Sequence, residues 1–261
     1  QSTAKLVAKG SCGSNATYPL YSNGNLQIKG KGEVKVTYDF SYRSEMIKTV
    51  TVASGITGIG DRTFSNCKNL KRISLPGTLR SIGVRAFGDT SITSIKLPNG
   101  LKSIGAYAFY QSKITSLDIP KTVTKIEEYA FSYCSSLESV SIPGSVKTLP
   151  ESLFEADMKL KKVTLGQGVS RIERAAFRHC GLTGISFPDS VTLIDESAFS
   201  LCSDLRKVTL PKKLTEIGNG AFGNCRKLGN ITIPASVKKI RSNAFYDCQA
   251  MKRSEEHTSE L

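Results

Sequence analysis

Leu117-Asp118-Ile119-Pro120-Lys121-Thr122-Val123-Thr124-Lys125-Ile126-Glu127-Glu128-Tyr129-Ala130-Phe131-Ser132-Tyr133-Cys134-Ser135-Ser136-Leu137 is one copy of a unit that fills most of the chain. Its phenylalanine recurs as Phe64, Phe87, Phe109, Phe131, Phe154, Phe177, Phe199, Phe222 and Phe245, at intervals of 23, 22, 22, 23, 23, 22, 23 and 23 residues. A near-constant period of this length marks a solenoid, in which one small unit stacks on copies of itself and buries an apolar face it could not bury alone. From the proline position to the phenylalanine the count is always 11, from 76 to 87 through 234 to 245. The one-residue variation therefore falls in the arc between each phenylalanine and the next proline position.

Within a unit, the pair Leu117/Ile119 alternates with Asp118, the period-2 pattern of a short strand. The equivalent pairs run from Ile73/Leu75 to Ile231/Ile233 and are expected to point inward. A proline usually follows and ends the strand, because it has no N–H for the ladder. The Val123…Ile126 segment makes a second short edge, and Ala130-Phe131 is expected on a compact helical turn with the ring in the core. The fold class is an α/β solenoid of about nine coils, with a parallel sheet and short helical turns. Ahead of it, Asn23-Gly24 is a hairpin signal and Leu26/Ile28 alternate as a strand, so residues 1–46 are expected to form a β cap and 47–252 the repeats.

The string I-G-x-x-A-F-x-x-C, seen at Ile217-Gly218…Ala221-Phe222…Cys225 and nearly so at Ile59-Gly60…Phe64…Cys67, resembles the BspA-type leucine-rich repeat. The resemblance covers residues 47–252; the coil around Leu149-Pro150…Leu153-Phe154 departs from it, with Gly166 in place of the next proline. It implies a cell-surface or secreted protein of the adhesin kind, binding proteins or glycans, with no enzymatic activity and no cofactor. Arg253–Leu261 shares nothing with the period and resembles the translation of a short-read sequencing adapter. It is read as a non-native tail, which implies a longer natural chain and a last coil without its own cap.

Six of the seven cysteines, Cys67, Cys134, Cys180, Cys202, Cys225 and Cys248, lie three residues after a repeat phenylalanine. Thr90, Ser112 and Asp157 hold that position in the other coils, as expected of a small, partly polar packing slot. Buried free thiols and rung-to-rung disulfides are both compatible with it; a metal site has no C-x-x-C pair or histidine cluster behind it. Cys12 stands outside the register.

The net charge is +14, or +16 without the tail (35 Lys+Arg less 19 Asp+Glu). Such a balance either solvates a long array or attracts acidic glycans and proteins. The outward strand positions name the candidate binding face: Arg72, Ser74, Lys96, Asp118, Ser141, Lys162, Thr164, Ser186, Lys207, Thr209 and Thr232. The bland reading is that exposed strands favour Thr and small polar residues; the sharper one is a polar ligand surface with a basic rim. Asn15 and Asn230 head N-x-T sequons and are candidate glycosylation sites. Nucleic acid is disfavoured, since there is no Trp and no exposed aromatic series is expected. His179 beside Cys180 is read as a surface histidine next to a core thiol, and no loop departs from the array far enough to hold a catalytic site. The alternative to a binding module is a structural subunit that stacks end to end into a filament.

Overall fold

The computed structural model describes residues 3–252, so the tail at 253–261 lies outside the described residues. Three antiparallel strands open the chain: β1 (Leu6–Ser11), β2 (Asn15–Tyr21) and β3 (Asn25–Val34). Asn23-Gly24 makes the β2–β3 turn, with Gly24 at φ 85°, where an added Cβ would sit 2.5 Å from the Met46 carbonyl oxygen. A short helix, α1 (Tyr38–Tyr42), follows, capped by the Thr37 hydroxyl accepting from the Phe40 amide. Strand β3 then starts two ladders. Its residues Asn25–Ile28 pair parallel with β4 (Thr49–Val52), and Gly32–Val34 pair with β5 (Ile56–Ile59).

Both ladders continue coil by coil in parallel. The first runs from β4 to Arg72–Ser74, breaks at 95–97, resumes as Ser116–Asp118, Ser139–Ile142 and Lys162–Leu165, and then as Gly184–Ser186 and Lys207–Thr209. The second runs from β5 through Ser81–Ile82, Ser103–Ile104 and Lys125–Ile126, and then from Thr148–Leu149 through Arg171–Ile172, Leu193–Ile194 and Glu216–Ile217 to Lys239–Ile240. The expected parallel-sheet solenoid is what the chain forms. The inward residues of the first ladder are less shielded than the phenylalanines: Leu117, Val140 and Ile185 are buried, Ile73 and Val163 half-buried, and Ile233 is 37% exposed.

The helical turn expected at Ala-Phe is absent, and the only α-helix among the described residues is α1. Each phenylalanine sits instead in a chain of tight turns. Around Phe64, the amides of Thr63, Ser65 and Cys67 close turns onto the carbonyls three residues back. The intervening amides of Arg62, Phe64 and Asn66 donate forward to Val84, Ala86 and Gly88 of the next coil. A helix would spend its amides within one coil; this arrangement gives every second amide to the neighbour and makes the turns a third hydrogen-bonded ladder. It requires left-handed backbone two residues before and two after the ring, and those positions have positive φ in coil after coil: Arg62 and Asn66, Tyr107 and Gln111, Ala175 and His179.

The rings fill the centre. Phe64, Phe87, Phe109, Phe131, Phe154, Phe177, Phe199 and Phe222 are fully buried, and each stacks on the next at centroid distances of 5.2–5.9 Å. Phe245, in the last described coil, stacks on Phe222 at 5.6 Å but is only partly covered. The column begins earlier than the repeat does: Phe40 of α1 lies 5.4 Å from Phe64, and Tyr18 of β2 lies 4.8 Å from Phe40. The Tyr18 hydroxyl donates to the Asp39 carboxylate, and burial with that bond pushes its pKa up to about 12.

Candidate binding surface

The candidate face lies on the first ladder, where strand register decides which residues become neighbours. Leu117, Val140 and Val163 pair across three coils, as do Ser116, Ser139 and Lys162, and Asp118, Ser141 and Thr164. Arg72 pairs with Thr49 and Ser74 with Thr51; farther along, Gly184 pairs with Lys207 and Ser186 with Thr209. Because Cβ direction alternates along a strand, these residues form two straight outward rows running from coil to coil. Arg72, Ser74, Lys96, Asp118, Lys162, Thr164, Ser186, Lys207, Thr209 and Thr232 are exposed, and Ser141 is half-buried by its neighbours.

Two shallow depressions interrupt the face. One lies between Ser74 and Lys96, floored by Ile73 and Leu75. The other is made by Gly184, which leaves the outer row without a side chain between Lys162 and Lys207, with Lys161, Ser186 and Thr209 around it. Among the described residues, Arg72, Lys96, Lys161, Lys162 and Lys207 make no ion pair. Several of the chain's other cations are paired, often from one coil to another. Arg178 meets Glu155 at 2.9 Å, Lys227 meets Asp204 at 2.7 Å and Arg226 meets Asp247 at 2.9 Å. The Lys227 ammonium holds the Asp204 carboxyl below its usual range. The cations of the sheet face are thus among the many of the described residues that no carboxylate pairs.

The cysteine slot is a ladder of buried free thiols. Cys180, Cys202, Cys225 and Cys248 each donate from Sγ to the carbonyl of the phenylalanine one coil back, at 3.1 Å. Burial pushes the Cys67 and Cys202 thiols up to about 12, so they are protonated and unreactive at neutral pH. Asp157 is the exception in the slot. It is fully buried; its Oδ1 accepts the Cys134 amide at 2.7 Å and its Oδ2 has no partner. Burial pushes its carboxyl well above the ordinary range. His179 is exposed while Cys180 beside it is buried, so the two do not form a reactive pair. Among the described residues no group of three His, Cys, Asp or Glu side chains could hold a metal ion. Of the sequon asparagines, Asn15 and Asn230 are both exposed; Asn230 Oδ1 accepts the Lys252 amide at 2.8 Å.

Away from the outward strand rows lies an aromatic group that the sequence reading did not single out, half-buried but for the exposed Tyr133. Tyr107, Tyr110, Tyr129 and Tyr133 cluster on the turn side, away from the strands. Tyr107 and Tyr129 stack at 4.7 Å with 2° between their planes, and the Arg85 guanidinium lies 4.3 Å from the Tyr107 centroid. Sequence reasoning missed the cluster because its members hold three different places in the repeat.

The family model for the BspA type leucine rich repeat region matches residues 35–159 and 156–252 in six copies. A leucine-rich repeat protein from Bacteroides ovatus superposes with a TM-score of 0.54 at 23% identity, over 91% of this chain and 92% of that one. The pneumococcal vaccine antigen PcpA gives 0.56 at 22% identity, over 93% of this chain and 74% of its own. The T. pallidum leucine rich repeat protein gives 0.50 at 26%, over 62% and 85%. No curated protein matches the chain in sequence.

Proposed function

The chain belongs to the BspA-type leucine-rich repeat family, and from that premise we propose that it is a non-enzymatic binding scaffold displayed at a cell surface or secreted, which holds acidic protein or glycan partners against its first-ladder face. The observation that carries this reading is the two-row face itself: a rigid polar surface several coils long whose lysines and arginines lack intramolecular partners. Unpaired cations on a flat surface steer and hold an anionic partner with no internal pair to break first. The stacked phenylalanine column fixes the spacing of the rows, so the surface is preorganised and little conformational entropy is lost on binding. Likeness to a pneumococcal vaccine antigen agrees with display outside the cell. The test is a binding screen of residues 1–252 on immobilised matrix proteins and sulfated or sialylated glycans at two salt concentrations. Salt-sensitive capture is the expected result; failure to retain any acidic partner at low salt sinks the reading.

A further inference from the structure

We propose that the sheet face takes its anionic partner at one notch, over Gly184, and that the group held there is a sulfate ester on a sugar ring; this rests on the sheet-face reading above and narrows it. Both depressions of the face lie at a step from a 23-residue coil into a 22-residue one: Phe64–Phe87 into Phe87–Phe109, and Phe154–Phe177 into Phe177–Phe199. At the second step Lys162–Leu165 and Gly184–Ser186 do not pair with each other, although each pairs on its other side. The Lys161 amide donates to the Glu138 carbonyl and the Arg206 amide to the Thr183 carbonyl. Between them the Thr183 amide makes no backbone bond among the described residues. Where the ladder is lost, a depression of about 400 Å³ opens, bordered by Lys161, Lys162, Gly184, Ser186, Lys207 and Thr209.

The backbone does not demand a glycine at 184. Its φ is outside the left-handed region, and an added Cβ would meet nothing closer than the Lys207 carbonyl oxygen at 3.4 Å. Gly181 differs, since its Cβ would lie 2.2 Å from the Met158 carbonyl oxygen. What Gly184 does is clear the outer row between Lys162 and Lys207, which stand two strand spacings, ~10 Å, apart. Their flexible stems let both ammoniums lean over it, with Lys161 beside Lys162. The lining holds three lysines, no carboxylate and no arginine. Glu138, one coil before Lys161, makes no ion pair with it, and Asp204 is held by Lys227 at 2.7 Å. The exposed Ser186 and Thr209 hydroxyls add neutral donors. Three point charges and two hydroxyls suit the three terminal oxygens of a sulfate ester. A carboxylate is better met by a guanidinium fork, and a phosphate by the amides of a helix N-terminus; neither lines the depression. The volume lies within the ~300–1,000 Å³ of small-molecule sites, which leaves room for the sugar that carries the ester; an Asp or Glu side chain alone would leave most of it empty.

Gly184→Val tests the notch without changing charge. It fills the gap with a side chain that an exposed strand accepts, so the melting temperature should hold or rise. Ser116→Val, in the same outward row, is the matched control. The probes are a heparin tetrasaccharide, the same tetrasaccharide stripped of sulfate with its carboxylates kept, mannose 6-phosphate and a glutamate-rich peptide, each titrated into the full chain by calorimetry. The sulfated sugar should bind, and the other three about tenfold or more weakly; Gly184→Val should lose about tenfold while Ser116→Val matches the wild type. Equal affinity for the desulfated sugar, the sugar phosphate or the peptide overturns the sulfate assignment. Sulfated-sugar binding that Gly184→Val leaves intact overturns the notch; if Lys162→Glu/Lys207→Glu then abolishes that binding, the sheet-face reading stands without it. No binding of any of the four by the wild type removes both.

Discussion

Replacing Asp157 by cysteine, the residue that six other coils carry at this position, should stabilise the protein, and by more as pH rises. The carboxyl is fully buried, with Oδ2 unpartnered and Oδ1 on the Cys134 amide. Its folded-state pKa is raised by burial, whereas in the unfolded chain an aspartate titrates near ~3.9. The folded state thus binds the proton more tightly, and the slope of unfolding free energy against pH is negative between the two pKa values. The native side chain is least harmful below about pH 4. Above that it costs about 1.4 kcal/mol per pH unit until the folded pKa is passed. Cysteine has no such proton to lose, and its thiol can donate to the Phe131 carbonyl as Cys180 does to Phe154. Cys134 N–H can return to the turn bond onto Phe131 that Cys180 and Cys202 make with their own phenylalanines. Denaturant unfolding of both proteins, under reductant, at half-unit steps from pH 4 to 8, measures the difference. A stability gap that stays constant over that range would refute the reasoning, since it would mean that Asp157 does not change its proton affinity on folding.

Three further outcomes follow from the same geometry. Phe131→Ala should cost about 3–5 kcal/mol, the usual penalty for truncating a buried ring, and Phe245→Ala distinctly less, because Phe245 is only partly covered; thermal unfolding of both variants checks the order. Ala175→Gly, at φ 55°, should stabilise by a few tenths to about 1 kcal/mol, as relief of left-handed strain outweighs the added freedom of the unfolded chain. Gly105→Ala should destabilise, since its Cβ would come within 2.6 Å of the Gly83 carbonyl carbon in the preceding coil, and a drop in melting temperature would show it.

Much of this was legible in the sequence, for a physical reason. The phenylalanine period is the coil period, because each coil must add one ring to the column, and the alternation at Leu117/Asp118/Ile119 maps directly onto the two faces of a strand. The turn was misread because its left-handed residues carry no mark of their own. Arg62, Tyr107, Ala156 and Leu201 share that conformation with nothing in common as side chains; it is imposed by the amides that reach forward to the next coil. Phe40 escaped notice because it stands on a helix after Asp39, outside the repeat's wording, yet it supplies the column's first phenylalanine ring. The exposure of the sheet rows follows from period 2, but the absence of partners for their cations depends on which acids lie across from them, which only the stacked coils reveal.

The central claim is that unpaired charge on the first-ladder face, and not the net charge of the chain, holds the partner. Association rates to an acidic partner found in the screen, compared for Lys162→Glu/Lys207→Glu and for Arg226→Glu/Lys227→Glu, test it most directly. Both pairs of substitutions change the net charge equally, and the second lies among cations already paired with Asp247 and Asp204. The account predicts that the sheet-face variant loses about tenfold or more in on-rate at low salt while the other stays within about twofold of wild type. Equal losses in the two variants would contradict it.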